Sequence, residues 1–269
     1  MRFASERKTM ERKRSAYQWL LTALAVVGVG LSAGARAADT NWLDIESRIQ
    51  YGYFTEDLRS LRNLVEPLAA NDSHDRLKSY YAGLLAYRLT LLSQAQPTPV
   101  RKNDPGKNEA RQSVERCVSS LDQALQVQSD FADALALQSA CLGLLAELSS
   151  WRAPFAGPKS VSQIRKALQL APKNPRVLLL DAIGDHPHPG SAPAESCGKF
   201  IKAAAAFDAE RADVDQVPGW GAAEAYTGLG RCYLAGGDVL KARDALERAL
   251  LIAPEFGQAR RLLSSITSG

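Results

Sequence analysis

Residues 223–254 constrain the fold more than any other stretch of this chain. Tyr226, Leu229, Gly230 and Tyr233 fall on one helical face, and after Gly236, Gly237 and Asp238 the pattern resumes as Ala242, Leu246, Ala249 and Pro254. Apolar residues three and four apart share a helix face, so the stretch predicts two amphipathic helices joined by a tight turn. Gly230 and Ala242 are small enough to let the two helices approach closely, larger side chains fill the space beside them, and Pro254 stops the second helix. Two such helices cannot bury both apolar faces against each other alone, so neighbouring helices must cover the rest.

The remaining chain supplies them. From Ala38 onward helical periodicity alternates with short Gly/Pro/Asp breaks, and no convincing period-two run appears. Candidate helices span 41–53, 56–69, 74–95, 108–128, 131–150, 159–171, 175–184, 195–210, 219–235, 238–252 and 256–266. The Pro- and Gly-rich stretches 96–107, 151–158 and 185–193 read as breaks. Of 269 residues, 42 are Ala and 36 are Leu, against 7% aromatic. That balance favours helices packed through small residues over a sandwich or barrel.

The eight residues named first sit at the signature positions of a 34-residue helix pair, and residues 223–256 resemble the tetratricopeptide repeat family. Upstream, Ile164 to Pro172 is similar to a second helix with its terminal Pro. Cys117, Leu121 and Ala124, and likewise Cys197, Ile201 and Ala204, match a second helix, whereas Leu135, Gln138, Ser139 and Leu142 match a first. The resemblance implies an all-α fold over residues 38–269, with antiparallel helix pairs stacked as a short tetratricopeptide-like α-solenoid and a C-terminal capping helix. It also implies a protein or peptide partner held in a concave groove lined by first helices. By the same resemblance the groove residues are Glu224, Thr227, Arg231, Leu234 and Ala235, preceded by Asp133, Ala136, Ala140, Gly143 and Leu144. Thr227 and Arg231 stand where the clamp for chaperone C-termini has Lys and Asn, so that ligand is not expected. Trp151 and Phe155 are a second candidate contact, unless they fold back over a helix pair.

In the repeat register, Cys117 and Cys197 hold the same position of two second helices, and Cys141 and Cys232 the same position of two following first helices. Residues equidistant from a turn sit side by side in an antiparallel pair. Position 129 lies midway between 117 and 141, and the midpoint of 197 and 232 falls in the loop 211–219. Pairing of Cys117 with Cys141 and of Cys197 with Cys232 is the expectation in an oxidising compartment. Buried free thiols are the alternative, since Cys packs as a small apolar residue.

The net charge of +4 is unevenly placed. Residues 1–37 carry seven Lys/Arg and two acids, and the rest of the chain sums to −1. A phosphate-neutralising surface is therefore not expected, and no nucleic-acid partner follows. Arg7, Lys8, Arg12, Lys13 and Arg14 precede a thirteen-residue apolar run, 19–31, and then Ala35, Arg36 and Ala37, the pattern of an export signal cleaved before Ala38. Met10 would open a more usual signal, and an uncleaved N-terminal anchor is the alternative. Both readings put the body outside the cytoplasm, in the bacterial periplasm or, for a cleaved signal, secreted.

Catalytic chemistry is not expected. No HExxH, GxSxG or P-loop pattern occurs, no CxxC pair is present, and no cofactor is implied. His186 and His188, beside Asp185, could offer ligands to a metal, but a structural zinc site wants four. The expected function is thus a non-catalytic interaction scaffold of the cell envelope; the alternative is an enzyme or metal-binding protein that uses the Pro/His-rich loops on a helical frame.

Overall fold

A computed structural model describes residues 41–69, 75–95, 105–184, 194–210 and 217–267. The export segment, its cleavage site and the His186/His188 loop lie outside the described residues. Twelve helices are seen among those residues: α1 Trp42–Phe54, α2 Leu58–Asn63, α3 Val65–Ala69, α4 Arg76–Ala95, α5 Pro105–Val127, α6 Ala132–Leu148, α7 Ala153–Leu170, α8 Pro175–Gly184, α9 Ala194–Ala209, α10 Ala222–Ala235, α11 Val239–Ile252 and α12 Gly257–Thr267. None is long and apolar enough to cross a membrane.

Local signals place the helix ends. The side chains of Asn41, Asp57 and Asp238 accept the backbone N–H of Asp44, Ser60 and Lys241 at 3.3, 3.0 and 3.1 Å, satisfying donors that a helix start leaves unpaired. Most expected boundaries hold to within about three residues, and two places differ by more. The segment 56–69 breaks at Leu64 into α2 and α3, after Glu56 takes a positive φ of 59°. The expected break at 151–158 is largely helix instead, because α7 begins at Ala153. Pro154 sits where its missing N–H would have no helical partner, so Pro there does not stop the helix.

Successive helices pack as pairs, most closely α4 with α5, α6 with α7 and α10 with α11, giving an all-α, solenoid-like array. Inside α10–α11, Ala242, Leu246 and Ala249 are fully buried, and a Cβ on Gly230 would come within 2.7 Å of Leu246 Cγ and 3.2 Å of the Ala242 carbonyl. The same crossing recurs in α4–α5, where a Cβ on Gly83 would meet Leu121 Cγ at 2.7 Å. At the equivalent crossing of α6 and α7, Ser139 and Ser160 each donate a hydroxyl hydrogen bond to the other's carbonyl, at 2.9 and 2.8 Å. Cys117 is joined to Cys141 across α5–α6 and Cys197 to Cys232 across α9–α10, with Cα–Cα distances of 6.2 and 5.6 Å.

The capping helix α12 packs on α11 and α10. Phe256, just before it, reaches the first helix, with its ring 4.6 Å from Phe54 and 5.8 Å from Tyr53. The first and last helices of the described array therefore meet.

Candidate functional site

That meeting encloses a cavity of about 250 Å³ between α1, α4, α8, α9, α10 and the start of α12. Aromatic and apolar side chains form most of its wall, among them Tyr53, Tyr87, Leu91, Phe200 and Phe256. Three expected groove residues, Glu224, Thr227 and Arg231, also line it.

Their states differ. Glu224 is buried and forms an ion pair with the equally buried Arg88 of α4. Gln50 of α1 completes the cluster, donating to Glu224 at 3.1 Å and accepting from Arg88 at 3.1 and 3.2 Å. The Arg88 guanidinium lies over the Tyr53 ring at 4.1 Å and the Trp220 ring at 4.9 Å. Burial works to depress the Arg88 pKa, and the Glu224 carboxylate together with the neighbouring Tyr53 and Tyr87 more than offsets it. A cation stacked and ion-paired in this way is fixed in place and cannot turn toward a ligand. Thr227 spends its hydroxyl on the Ala223 carbonyl at 2.8 Å, so it offers the cavity mainly its methyl face. Arg231 is exposed at the rim and pairs with no carboxylate among the described residues. On the same rim Arg261 pairs with Glu56.

The other expected groove residues are placed apart from this cavity. Leu234 is half-buried and Ala235 exposed on the last turn of α10. Asp133 is buried at the start of α6, where Arg176 donates to it at 2.8 Å and Asn174 at 3.0 Å. Arg176 also reaches Glu210 at 2.5 Å, so Asp133 is tied into a structural network. Ala136 is fully buried, while Ala140, Gly143 and Leu144 are half-buried beside α7. Trp151 and Phe155 do not fold back over a helix pair: they are 70% and 78% exposed.

Three buried charges escaped the sequence reading. Arg88 is the one charge in an apolar run from Tyr80 to Leu92, and Arg176 opens the apolar helix α8. An isolated charge inside a helix-length apolar run is the signal that could have marked Arg88; Arg176, with Lys173 and Asp181 close by, has no such signal. Glu46 of α1 accepts the Tyr81 hydroxyl at 2.7 Å and the Gly219 N–H at 3.0 and 3.1 Å. Burial raises its pKa, with these hydrogen bonds opposing the rise. Beside it Trp220 donates to the Tyr80 hydroxyl at 2.8 Å. Each carboxylate here is held by a fixed donor, an arrangement suited to joining helices. Among the described residues no group of three His, Cys, Asp or Glu could hold a metal ion.

No curated protein matches the chain. Among solved structures it is similar to a thermophilic TPR protein of Thermus thermophilus, with 15% identity and a TM-score of 0.49, covering 85% of this chain and 98% of that one. The family model described as tetratricopeptide repeat matches residues 223–256. Those residues are α10, α11 and the turn after them, the pair in which Gly230 lies under Leu246. The chain carries a tetratricopeptide repeat at residues 223–256 within an all-α array of helix pairs.

Proposed function

We propose that this chain is a non-catalytic scaffold of the bacterial cell envelope that holds a protein or peptide partner at the cavity beside the repeat. Tetratricopeptide folds are in general protein–protein interaction scaffolds. The observation that carries the reading is the pairing of an apolar-walled cavity of about 250 Å³ with Arg231 at its rim, which meets no carboxylate among the described residues. That volume takes one or two apolar side chains rather than a whole helix, and the arginine favours a carboxylate next to them. Export through residues 1–37 places the body in an oxidising compartment, which agrees with four cysteines joined as two pairs.

Crosslinking in the intact cell tests this. A photo-reactive residue in place of Gln258, which lines the same cavity and leaves Arg231 in place, should trap a discrete partner, and plugging the cavity with Leu91→Trp should abolish the adduct while the protein remains folded. An adduct that persists with the cavity plugged would overturn the site. A fusion of residues 1–45 to a reporter active only outside the cytoplasm should be active, and an inactive fusion would remove the envelope.

A further inference from the structure

The outer face of α7 is a second surface, and no residue of it lines the cavity. Residues 148–180 contain no Asp or Glu but six Lys/Arg, in a body whose charge otherwise leans acidic. At 3.6 residues per turn, Phe155, Pro158, Lys159, Ser162, Arg165 and Lys166 fall within about 120° of the helix circumference. The opposite side, carrying Ala156 and Ala167, is buried in the array. Trp151 stands exposed just before the first turn, and the Arg152 guanidinium stacks on it at 4.6 Å.

The charges near this face are partly paired. Arg152 meets Glu115 at 3.1 Å and Lys159 meets Asp122 at 3.4 Å. Lys166 donates to the Ser129 carbonyl at 3.0 Å. Arg165 and Lys173 are exposed and meet no carboxylate among the described residues. The result is two large, exposed aromatic side chains at one end of a helix whose remaining outward charges are positive.

We propose that this face docks the protein on the surface of an anionic lipid bilayer, with Trp151 and Phe155 entering the headgroup region and Arg165, Lys166 and Lys173 facing lipid phosphates. Three observations favour a membrane over a protein partner. Trp is enriched at the boundary between headgroups and acyl chains, and helices that lie there combine Trp or Phe with Lys and Arg. Lys is depleted in protein–protein interfaces, yet three lysines surround this patch. The 33-residue stretch is free of carboxylates, and the two that neighbour the face, Glu115 and Asp122, are neutralised by Arg152 and Lys159. The buried side of α7 stays in the array, so the helix docks without leaving the fold.

Co-sedimentation of the full chain with vesicles tests this, using mixed phosphatidylglycerol–phosphatidylcholine vesicles against pure phosphatidylcholine. Trp151→Ala/Phe155→Ala and Arg165→Glu/Lys166→Glu are compared in the same full-length background, so that the N-terminal apolar segment contributes equally throughout. Both variants change exposed side chains and should keep the wild-type circular dichroism and melting temperature. Each should bind anionic vesicles at least about tenfold more weakly than wild type, and high salt should remove the preference of wild type for anionic vesicles. Equal binding by wild type and both folded variants would overturn the proposal. So would a wild-type dimer, or capture of an acidic protein, that needs Trp151 and Phe155 while vesicle binding does not.

Discussion

The pairs α10–α11 and α4–α5 use one crossing, yet only the first could be read along the chain. In both, a glycine of the earlier helix lies under a leucine of the later one, at 2.7 Å from the position a Cβ would take. In α10–α11 the two residues are 16 apart, with a tight turn between, so the pattern falls inside one 34-residue unit. In α4–α5 the partners are Gly83 and Leu121, 38 apart, because both helices run further from the crossing to the turn and the connection is also longer, which takes the pair out of any fixed spacing. A repeat signature records the contact together with the length of the turn. Lengthening the connection costs little, because closure entropy grows only logarithmically with loop length, so the contact persists where the signature is lost. The pairs differ in their surroundings as well. The N-terminal side contributes Arg88, which pairs with Glu224 of the repeat, and Tyr80 and Glu46, which hold Trp220 and Gly219 just before it.

The comparison breaks most readily at the glycines. Gly83→Leu and Gly230→Leu should have equally severe effects, because each drives an isobutyl group into a fully buried leucine. Overpacking of this kind forces the backbones apart. We expect both variants to lose cooperative thermal unfolding; a well-folded Gly83→Leu would mean that the two crossings are not equivalent.

Arg88→Ala comes next. It leaves Glu224 buried without its cation and removes the link between the N-terminal helices and the repeat. Breaking a buried pair from one side costs about 3–5 kcal/mol, and chemical denaturation of the variant should show that loss. An Arg88→Ala change with wild-type stability would show that the Arg88–Glu224 pair does not hold the first helices to the repeat.

The disulfides sharpen the comparison, since one lies in each half. Non-reducing peptide mapping should recover only the 117–141 and 197–232 links. Each closes a loop, of 24 and 35 residues in separation, and should contribute about 2–4 kcal/mol. In the chain-entropy account the longer loop is favoured by only a few tenths of a kcal/mol. Removing either link by paired Cys→Ala substitution should thus lower the melting temperature by similar amounts. A link between Cys117 and Cys232 would contradict the structure.

The smallest expected effect is a pH dependence at the seam. Burial raises the Glu46 carboxyl above its ordinary value of about 4.5, so the folded chain holds that proton more tightly than the unfolded chain. Its contribution to stability is therefore greatest below the unfolded value and declines as pH rises through the folded value. Glu46→Gln removes this titration and keeps an acceptor for the Gly219 N–H. The stability of the variant relative to wild type should increase from pH 4.5 to pH 7; a pH-independent difference would show that Glu46 carries no such shift.

The helices, their ends, the repeat and the cysteine partners were legible because each depends on residues near one another in the chain. Cys117 and Cys141 are equidistant from one turn, and an antiparallel pair places such residues side by side whatever surrounds it. The extension of α7 back to Ala153 was misread, since Pro in the first turn of a helix carries the same letter as Pro in a loop.

The site was legible only in part. Glu224, Thr227 and Arg231 could be placed on the inner face of a first helix, but not the groups opposite them. Gln50, Arg88 and Phe256 come to that face from segments separated from Glu224 by 174, 136 and 32 residues. No local pattern encodes those distances; they follow from the angle at which each helix pair stacks on the last. Sequence alone determined an all-α chain with a tetratricopeptide repeat and small residues at its helix crossings, because periodicity and turn chemistry are local. Only the tertiary structure decided that Glu224 is locked by Arg88 while Arg231 stays open, because ion pairing and burial depend on what arrives from elsewhere in the chain.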